Sequence, residues 1–210
     1  MLPQPDLNHD LRNKLWAALE AIKLFLTKTE KNNFSLIFKA KIALEQSLAL
    51  LEGQTPDLPG DLGDMLCGSL TDLFPLARNK GISLKVFPTK SIIPAQIDKF
   101  VFLRIAHNLV INAIEAAESR VIVQSGYWTD DYGNSLFPAV SVQDDGNGIP
   151  AEKLPHIFSP GASSKGSKRG HGLHIVKTLL KTTGTLTLFT SDHGTTFHVI
   201  FGYRREDNHA

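Results

Sequence analysis

The chain has 210 residues, 42% of them hydrophobic, which is enough apolar material for one large domain or for an ordinary domain with a small helical module. With 22 Lys and Arg against 21 Asp and Glu the net charge is +1, so no basic surplus marks a nucleic-acid binder and no acidic excess marks a disordered tail. No run approaches the ~20 apolar residues of a membrane span, no signal-peptide pattern opens the chain, and the single Cys67 lies in an apolar helical stretch. Together these features predict a cytoplasmic protein whose one thiol serves packing.

Leu7, Leu11, Leu15, Ala18, Ile22, Phe25 and Leu26 recur at three- and four-residue intervals and predict a helix with one buried stripe over residues 6–28. Near its start, "LNHDLRNKL" sets Asn13 one turn after His9 on nearly the same face, with Asp10 rotated from His9 by about 100°. That cluster fits a polar helix start as well as a nucleophilic imidazole with its own acid–base partners. "TEKNN" is a polar turn, and residues 34–52 form a second expected helix, with Ile37, Leu44 and Leu51 seven apart and Leu48 between them. Two helices alone bury their stripes poorly, so the hairpin is expected to pair with a second copy as a four-helix bundle in a homodimer. The aperiodic stretch "GQTPDLPGD" at 53–61 marks a boundary. The expected organisation is a hairpin at 1–54, a linker at 55–60 and a second domain at 61–205.

Beyond the boundary the pattern is mixed. A helix over 62–79 precedes a strand at "ISLKVF", a long helix from about Ala95 to Glu118, and strands at "RVIVQSGYW" and "PAVSVQD". A Gly-rich stretch, a helix at 172–182 and the strands "TLTLFTS" and "TTFHVIFG" complete the chain. The expected fold is α+β overall, the helical bundle being followed by an α/β sandwich with helices on one face of a mixed sheet.

Three segments of the second domain carry chemistry. In "VQDDGNGIP" a strand ends at Asp144 and Asp145 and turns on Gly146 and Gly148, which suits a carboxylate accepting from an amino group such as that of adenine, or a plain turn. In "SPGASSKGSKRGHGLHIVK" a Gly/Ser/Lys loop runs into a helix, so free N–H groups and the helix dipole face one point, as an anion site would require or a simple connector would allow. The order of a P-loop is absent. In "LRIAHNLVINAIEAA", Asn108 and Asn112 share a helical face, and two amide oxygens there can hold a hydrated Mg2+ that bridges phosphates.

In order, "HNLVINAIEAA", "VQDDGNGIP", "IFSPGASSKGSKRGHGLHIVK" and "HGTTF" resemble the N box, first glycine box, lid with second glycine box, and third glycine box of the GHKL (Bergerat-type) ATP-binding fold. Preceded by "HDLRNKL" on a hairpin, they look like the catalytic core of a two-component sensor histidine kinase, closest to the citrate/dicarboxylate-sensor and sporulation-phosphotransferase branch. The resemblance spans essentially the whole chain. It implies that His9 is the phosphoacceptor, Asp10 the base that activates it, and Asn13 the residue that orients water when the phosphohistidine is hydrolysed. It further implies that Asn108 and Asn112 hold Mg2+ and phosphate, that Asp144 binds the adenine amino group, and that Gly146 and Gly148 shape the pocket. Gly170, Gly172 and Leu173 belong to the closing lid in that reading, Lys165 or Arg169 neutralises phosphate charge, and Thr195 or Thr196 helps bind adenine through water.

Some positions depart from the family pattern. Lys14 stands where proline is common, Glu115 where a phosphate-binding lysine is common, and His171 where a small or apolar residue is usual. ATP-hydrolysing members carry a water-activating glutamate where this chain has Asn108, and an amide cannot act as that base. The resemblance therefore implies ATP and Mg2+ as cofactors, autophosphorylation of His9, transfer to an aspartate of a response-regulator receiver domain, and input from a sensor domain or sensory partner protein. The alternative is a phosphotransferase that receives phosphate from another phosphoprotein and uses its ATP-like domain as a scaffold. His107, His156, His174, His193 and His198 show no ligand spacing and read as structural or surface residues.

Overall fold

The chain divides into two units, Met1–Asp57 and Leu58–Ala210. The computed structural model describes residues 60–129, 133, 136–159 and 172–203, together with a few positions between 15 and 44. In the first unit Leu15, Trp16, Ala18, Leu19 and Ile22 are helical, as are Ala40 and Leu44, and Leu19 is buried. His9, Asp10, Asn13 and Lys14 lie outside the described residues, as does the expected four-helix bundle.

The second unit runs β1 (Gly60–Asp61), α1 (Leu62–Leu70), α2 (Leu73–Asn79), β2 (Ser83–Phe87), β3 (Pro94–Ala95), α3 (Lys99–Ala116), β4 (Arg120–Thr129) and β5 (Leu136–Asp144). A short 3-10 turn at Leu154–His156 follows, then α4 (Gly172–Thr183), β6 (Gly184–Ser191) and β7 (Gly194–Phe201). Five strands form one sheet in the order β2-β4-β5-β7-β6, in which β2 and β4 are parallel and the other neighbours antiparallel. β1 and β3 make a separate two-stranded ribbon.

Burial alternates along much of β4, β5 and β7, with both faces covered around Ala139 and Ile200. Val121 and Val123 on β4, Val140 and Val142 on β5, and Phe197, Val199 and Phe201 on β7 are all buried, while Gln124 and Gln143 on the other face are exposed. The central helix α3 begins where Asp98 Oδ1 accepts a 2.9 Å hydrogen bond from the Val101 N–H, an N-cap. Its residues Phe102, Ile105, Leu109, Ala113 and Ile114 face the sheet and are buried, and Phe102 meets Phe201 with ring centroids 5.7 Å apart.

Three expectations are corrected. The helix over 62–79 is two helices, because Pro75 lacks an N–H for the Thr71 carbonyl and its ring crowds that carbonyl. The long helix starts at Lys99, since Ala95 pairs with Gly60 in the ribbon. Cys67 is exposed: α1 buries Leu62, Met65, Leu66, Ser69 and Leu70, and Cys67 falls on the opposite face. No described helix is long and apolar enough to cross a membrane.

Candidate functional site

Asp144 is the last residue of β5, and the alternation that buries Val140 and Val142 carries its carboxylate to the helix-covered face, where it is 5% exposed. Its Oδ1 accepts a 3.0 Å hydrogen bond from the Gly146 N–H. Burial pushes this carboxyl up from its ordinary value and the negative charge of Asp145 adds to that, against the backbone N–H groups of Gly146 and Thr195. A carboxylate kept inside with spare acceptor capacity is equipped to receive an amino group from a ligand.

Its neighbour has a different task. Asp145 Oδ1 accepts from the N–H groups of Glu118, Ser119 and Arg120 at 3.0–3.1 Å, and Oδ2 accepts from the Ser119 hydroxyl at 2.5 Å. Desolvation pushes the Asp145 carboxyl up, but the Ser119 hydroxyl and the three backbone N–H groups together outweigh it and hold the carboxyl well below the usual range. Asp145 thereby fastens the loop that carries Asp144 to the turn between α3 and β4. The glycines complete this seam. A Cβ on Gly146 would lie 2.2 Å from the Ala116 carbonyl oxygen, and one on Gly148, whose φ is +66°, 1.8 Å from that of Ser191. Both glycines admit the chain's own backbone, which brings the stretch after Asp144 close against α3 at Ala116 and β6 at Ser191.

Thr195 pairs with Asp144 across β5 and β7, is buried, and has its hydroxyl 3.2 Å from that of Thr190. Thr196 pairs with the exposed Gln143 and points to the opposite face, so of the two threonines Thr195 alone stands on the Asp144 side. Thr190 escaped sequence reasoning. Its hydroxyl accepts a 2.8 Å hydrogen bond from the Ile149 N–H and ties the Gly148 loop to β6. No local pattern marks it, because only its pairing with Thr195 brings it there.

On α3, Asn108 Nδ2 donates to the Arg104 carbonyl at 2.6 Å, which spends its NH2 on its own helix and leaves Oδ1 as the outward acceptor. Gly172, the first residue of α4, stands against this pair: a Cβ there would lie 3.1 Å from Asn108 Oδ1 and 3.6 Å from Asn112 Oδ1 and Nδ2. Leu173 follows in the same turn and is half-buried. Lys165, Arg169, Gly170 and His171 lie outside the described residues.

Asn108, Asn112 and Ala116 stand at i, i+4 and i+8, one line along α3. Gly172 touches the first two and Gly146 the third, so the α4 start and the Asp144 loop meet α3 at points separated by up to about 12 Å along its axis. Among the described residues no group of three His, Cys, Asp or Glu side chains is placed to hold a metal; the donors on this face of α3 are the side-chain amides of Asn108 and Asn112, which with phosphate oxygens would hold a cation. That donor set fits a hydrated Mg2+, and the buried carboxylate fits adenine's amino group. Two histidines are structural: His107 is 2% exposed and hydrogen-bonded to the Ser69 carbonyl, and His198 lies between Trp128 and Phe189 on the other sheet face. Burial pushes the His198 pKa down.

The family described as histidine kinase-, DNA gyrase B- and HSP90-like ATPase matches residues 98–205. The sensor protein CitS of Bacillus subtilis is 33% identical over 110 residues, covering 51% of this chain and 20% of CitS. The sensor kinase CckA of Brucella abortus is 28% identical over 96% of this chain and 24% of its own length, and the sensor histidine kinase DcuS of Escherichia coli K12 is 45% identical over 53 residues. The chain thus spans about a quarter or less of the curated relatives it matches. Among solved structures, the catalytic domain of the histidine kinase ThkA superposes with a TM-score of 0.58 at 22% identity, covering 68% of this chain and 93% of that one. Full-length ShkA in complex with AMPPNP gives 0.59 at 21% identity, covering 93% and 44%.

Proposed function

Because the chain belongs to the histidine kinase-, DNA gyrase B- and HSP90-like ATPase family, we propose that it is the core of a sensor histidine kinase that transfers the γ-phosphoryl group of ATP to His9. From His9 the group passes to an aspartate on a response-regulator receiver domain. The observation that carries the reading is the line along α3: amide oxygens beside the start of α4 at one end, and the loop of a buried carboxylate at the other, spaced on the scale of a nucleoside triphosphate. The names of the relatives, a sensor protein, a sensor kinase and a sensor histidine kinase, support it.

In this reading Asp144 accepts from the adenine amino group, with Thr195 beside it through water. Asn108 and Asn112 hold the hydrated cation and the phosphates, and Gly170 and Gly172 let the backbone approach them. Mg2+, when bound, neutralises phosphate charge as the phosphoryl group leaves. Lys165 or Arg169 adds positive charge. The His9 imidazole forms the N–P bond as the bond from the γ-phosphorus to the ADP oxygen breaks, while Asp10 takes the ring proton. Asn13 orients the water that later removes the phosphoryl group. Asn108 has no basic oxygen with which to activate water against ATP itself, which favours phosphoryl transfer over hydrolysis.

The test is incubation with γ-labelled Mg-ATP. Acid-labile, base-stable label is expected on the native chain, and none on His9→Gln or Asn112→Ala. Label that persists on His9→Gln refutes the proposal. Light scattering on the native chain is expected to give twice the monomer mass, and passage of label to a receiver domain checks the second step.

A further inference from the structure

The first turn of α4 holds none of that helix's buried residues. It opens on Gly172, the most flexible residue type, and the fully buried residues of this helix, Val176 and Leu180, both come later. Gly172 and Leu173 in that turn are only half-buried. One contact reaches the turn from outside α4. His174 Nδ1 lies 3.1 Å from the carbonyl oxygen of Phe158, and since a carbonyl only accepts, the ring carries its proton on Nδ1. One turn further on, Lys177 Nζ stands 5.3 Å from the centroid of the Phe158 ring, within cation–π range. Residue 158 is therefore gripped at its backbone and at its ring by an i, i+3 pair on one side of α4. The same turn meets Asn108 and Asn112 through Gly172.

We infer that His174 is a positioning residue. Its bond to the Phe158 carbonyl, backed by the Lys177 cation on the Phe158 ring, holds the first turn of α4 against Asn108 and Asn112 and so sets the affinity for a triphosphate. The inference rests on the nucleotide reading above. It separates His174 from the groups expected to touch the nucleotide, and it requires the phosphate end of the site to depend on this contact while the adenine end at Asp144 does not.

The experiment compares the native chain with His174→Ala, His174→Asn and Lys177→Met, reading Mg-ATP binding by calorimetry, adenosine binding by NMR titration, and thermal melting. Asparagine places an N–H near the position of Nδ1 and serves as the conservative variant. His174→Ala is expected to weaken ATP binding by about tenfold, and Lys177→Met by about threefold, the scale of one hydrogen bond and of one exposed cation–π contact. Adenosine affinity should stay within twofold, and His174→Asn should restore most of the ATP affinity. ATP binding unchanged in His174→Ala, or adenosine and ATP weakened in parallel, overturns the inference and leaves the nucleotide reading standing. A native chain that binds no ATP overturns both.

Discussion

Asp144→Asn separates recognition from stability. The carboxylate is 5% exposed and uses Oδ1 on the Gly146 N–H. Asparagine can keep that bond through its carbonyl, but its NH2 then replaces the second carboxylate oxygen and turns a donor towards the adenine amino group. A hydrogen bond to a charged acceptor contributes about 1.5–3 kcal/mol, so ATP affinity should fall by about 10- to 150-fold. Stability should move the other way. Burial raises the folded-state pKa of Asp144 above that of the unfolded chain, so its charge costs stability above the folded pKa, and the cost is relieved as pH falls through it. A neutral asparagine removes that cost at neutral pH, and the melting temperature should be equal or higher. Native ATP affinity should also weaken on acidification, beginning above the usual aspartate range near 3.8, and the variant should lack that dependence. Calorimetry with Mg-ATP from pH 5 to 8, beside thermal melts, reads both effects. ATP affinity within threefold of native, or a melting temperature that drops along with affinity, would refute the assignment of Asp144 as the adenine acceptor.

Asp145→Ala should destabilise the second domain by about 1–3 kcal/mol in urea titrations, since three backbone N–H groups and a hydroxyl lose their acceptor at a partly solvated position. The folded-state pKa of Asp145 is depressed, so its contribution is full above the unfolded value near 3.8 and is lost as pH falls through the folded one; melts between pH 2 and 7 should show less acid sensitivity in the variant. Gly148→Ala places a Cβ 1.8 Å from a carbonyl oxygen at φ +66° and should cost about 3 kcal/mol or more, whereas Gly81→Ala, at φ +73° in open space, should cost about 1 kcal/mol, both read from urea midpoints. Thr195→Ala should weaken ATP binding several-fold while Thr196→Ala, on the far face, leaves it within twofold; equal losses would contradict the register of β7.

Much of the second domain was legible because its signals are local. All five strands of the main sheet were placed from the sequence, and a mid-helix asparagine pair, two glycine turns and an aspartate at a strand end appeared in an order that carried the family. The failures share a cause. Pro75 is visible in the sequence, but whether its missing N–H breaks a helix depends on whether the carbonyl four residues back keeps its partner. Ala95 reads as a helix former until Gly60 pairs with it. Cys67 sits among apolar residues and is nonetheless exposed, because α1 buries only one of its faces, mainly against α3.

The amino-acid sequence by itself carried the resemblance to the GHKL fold: asparagines one turn apart on a helix, glycines in two turns, and a carboxylate at a strand end, all visible as residue type and spacing. The tertiary structure alone decided which member of each pair faces the helix-covered side of the sheet. Asp144 faces inward while Asp145 ties down a turn, and Thr195 stands beside the carboxylate while Thr196 faces away. The glycines of the Asp144 loop make room for carbonyls 30 or more residues distant, at Ala116 for Gly146 and Ser191 for Gly148. These choices depend on strand register and on contacts remote in sequence, which move a side chain from one face to the other with a shift of a single residue.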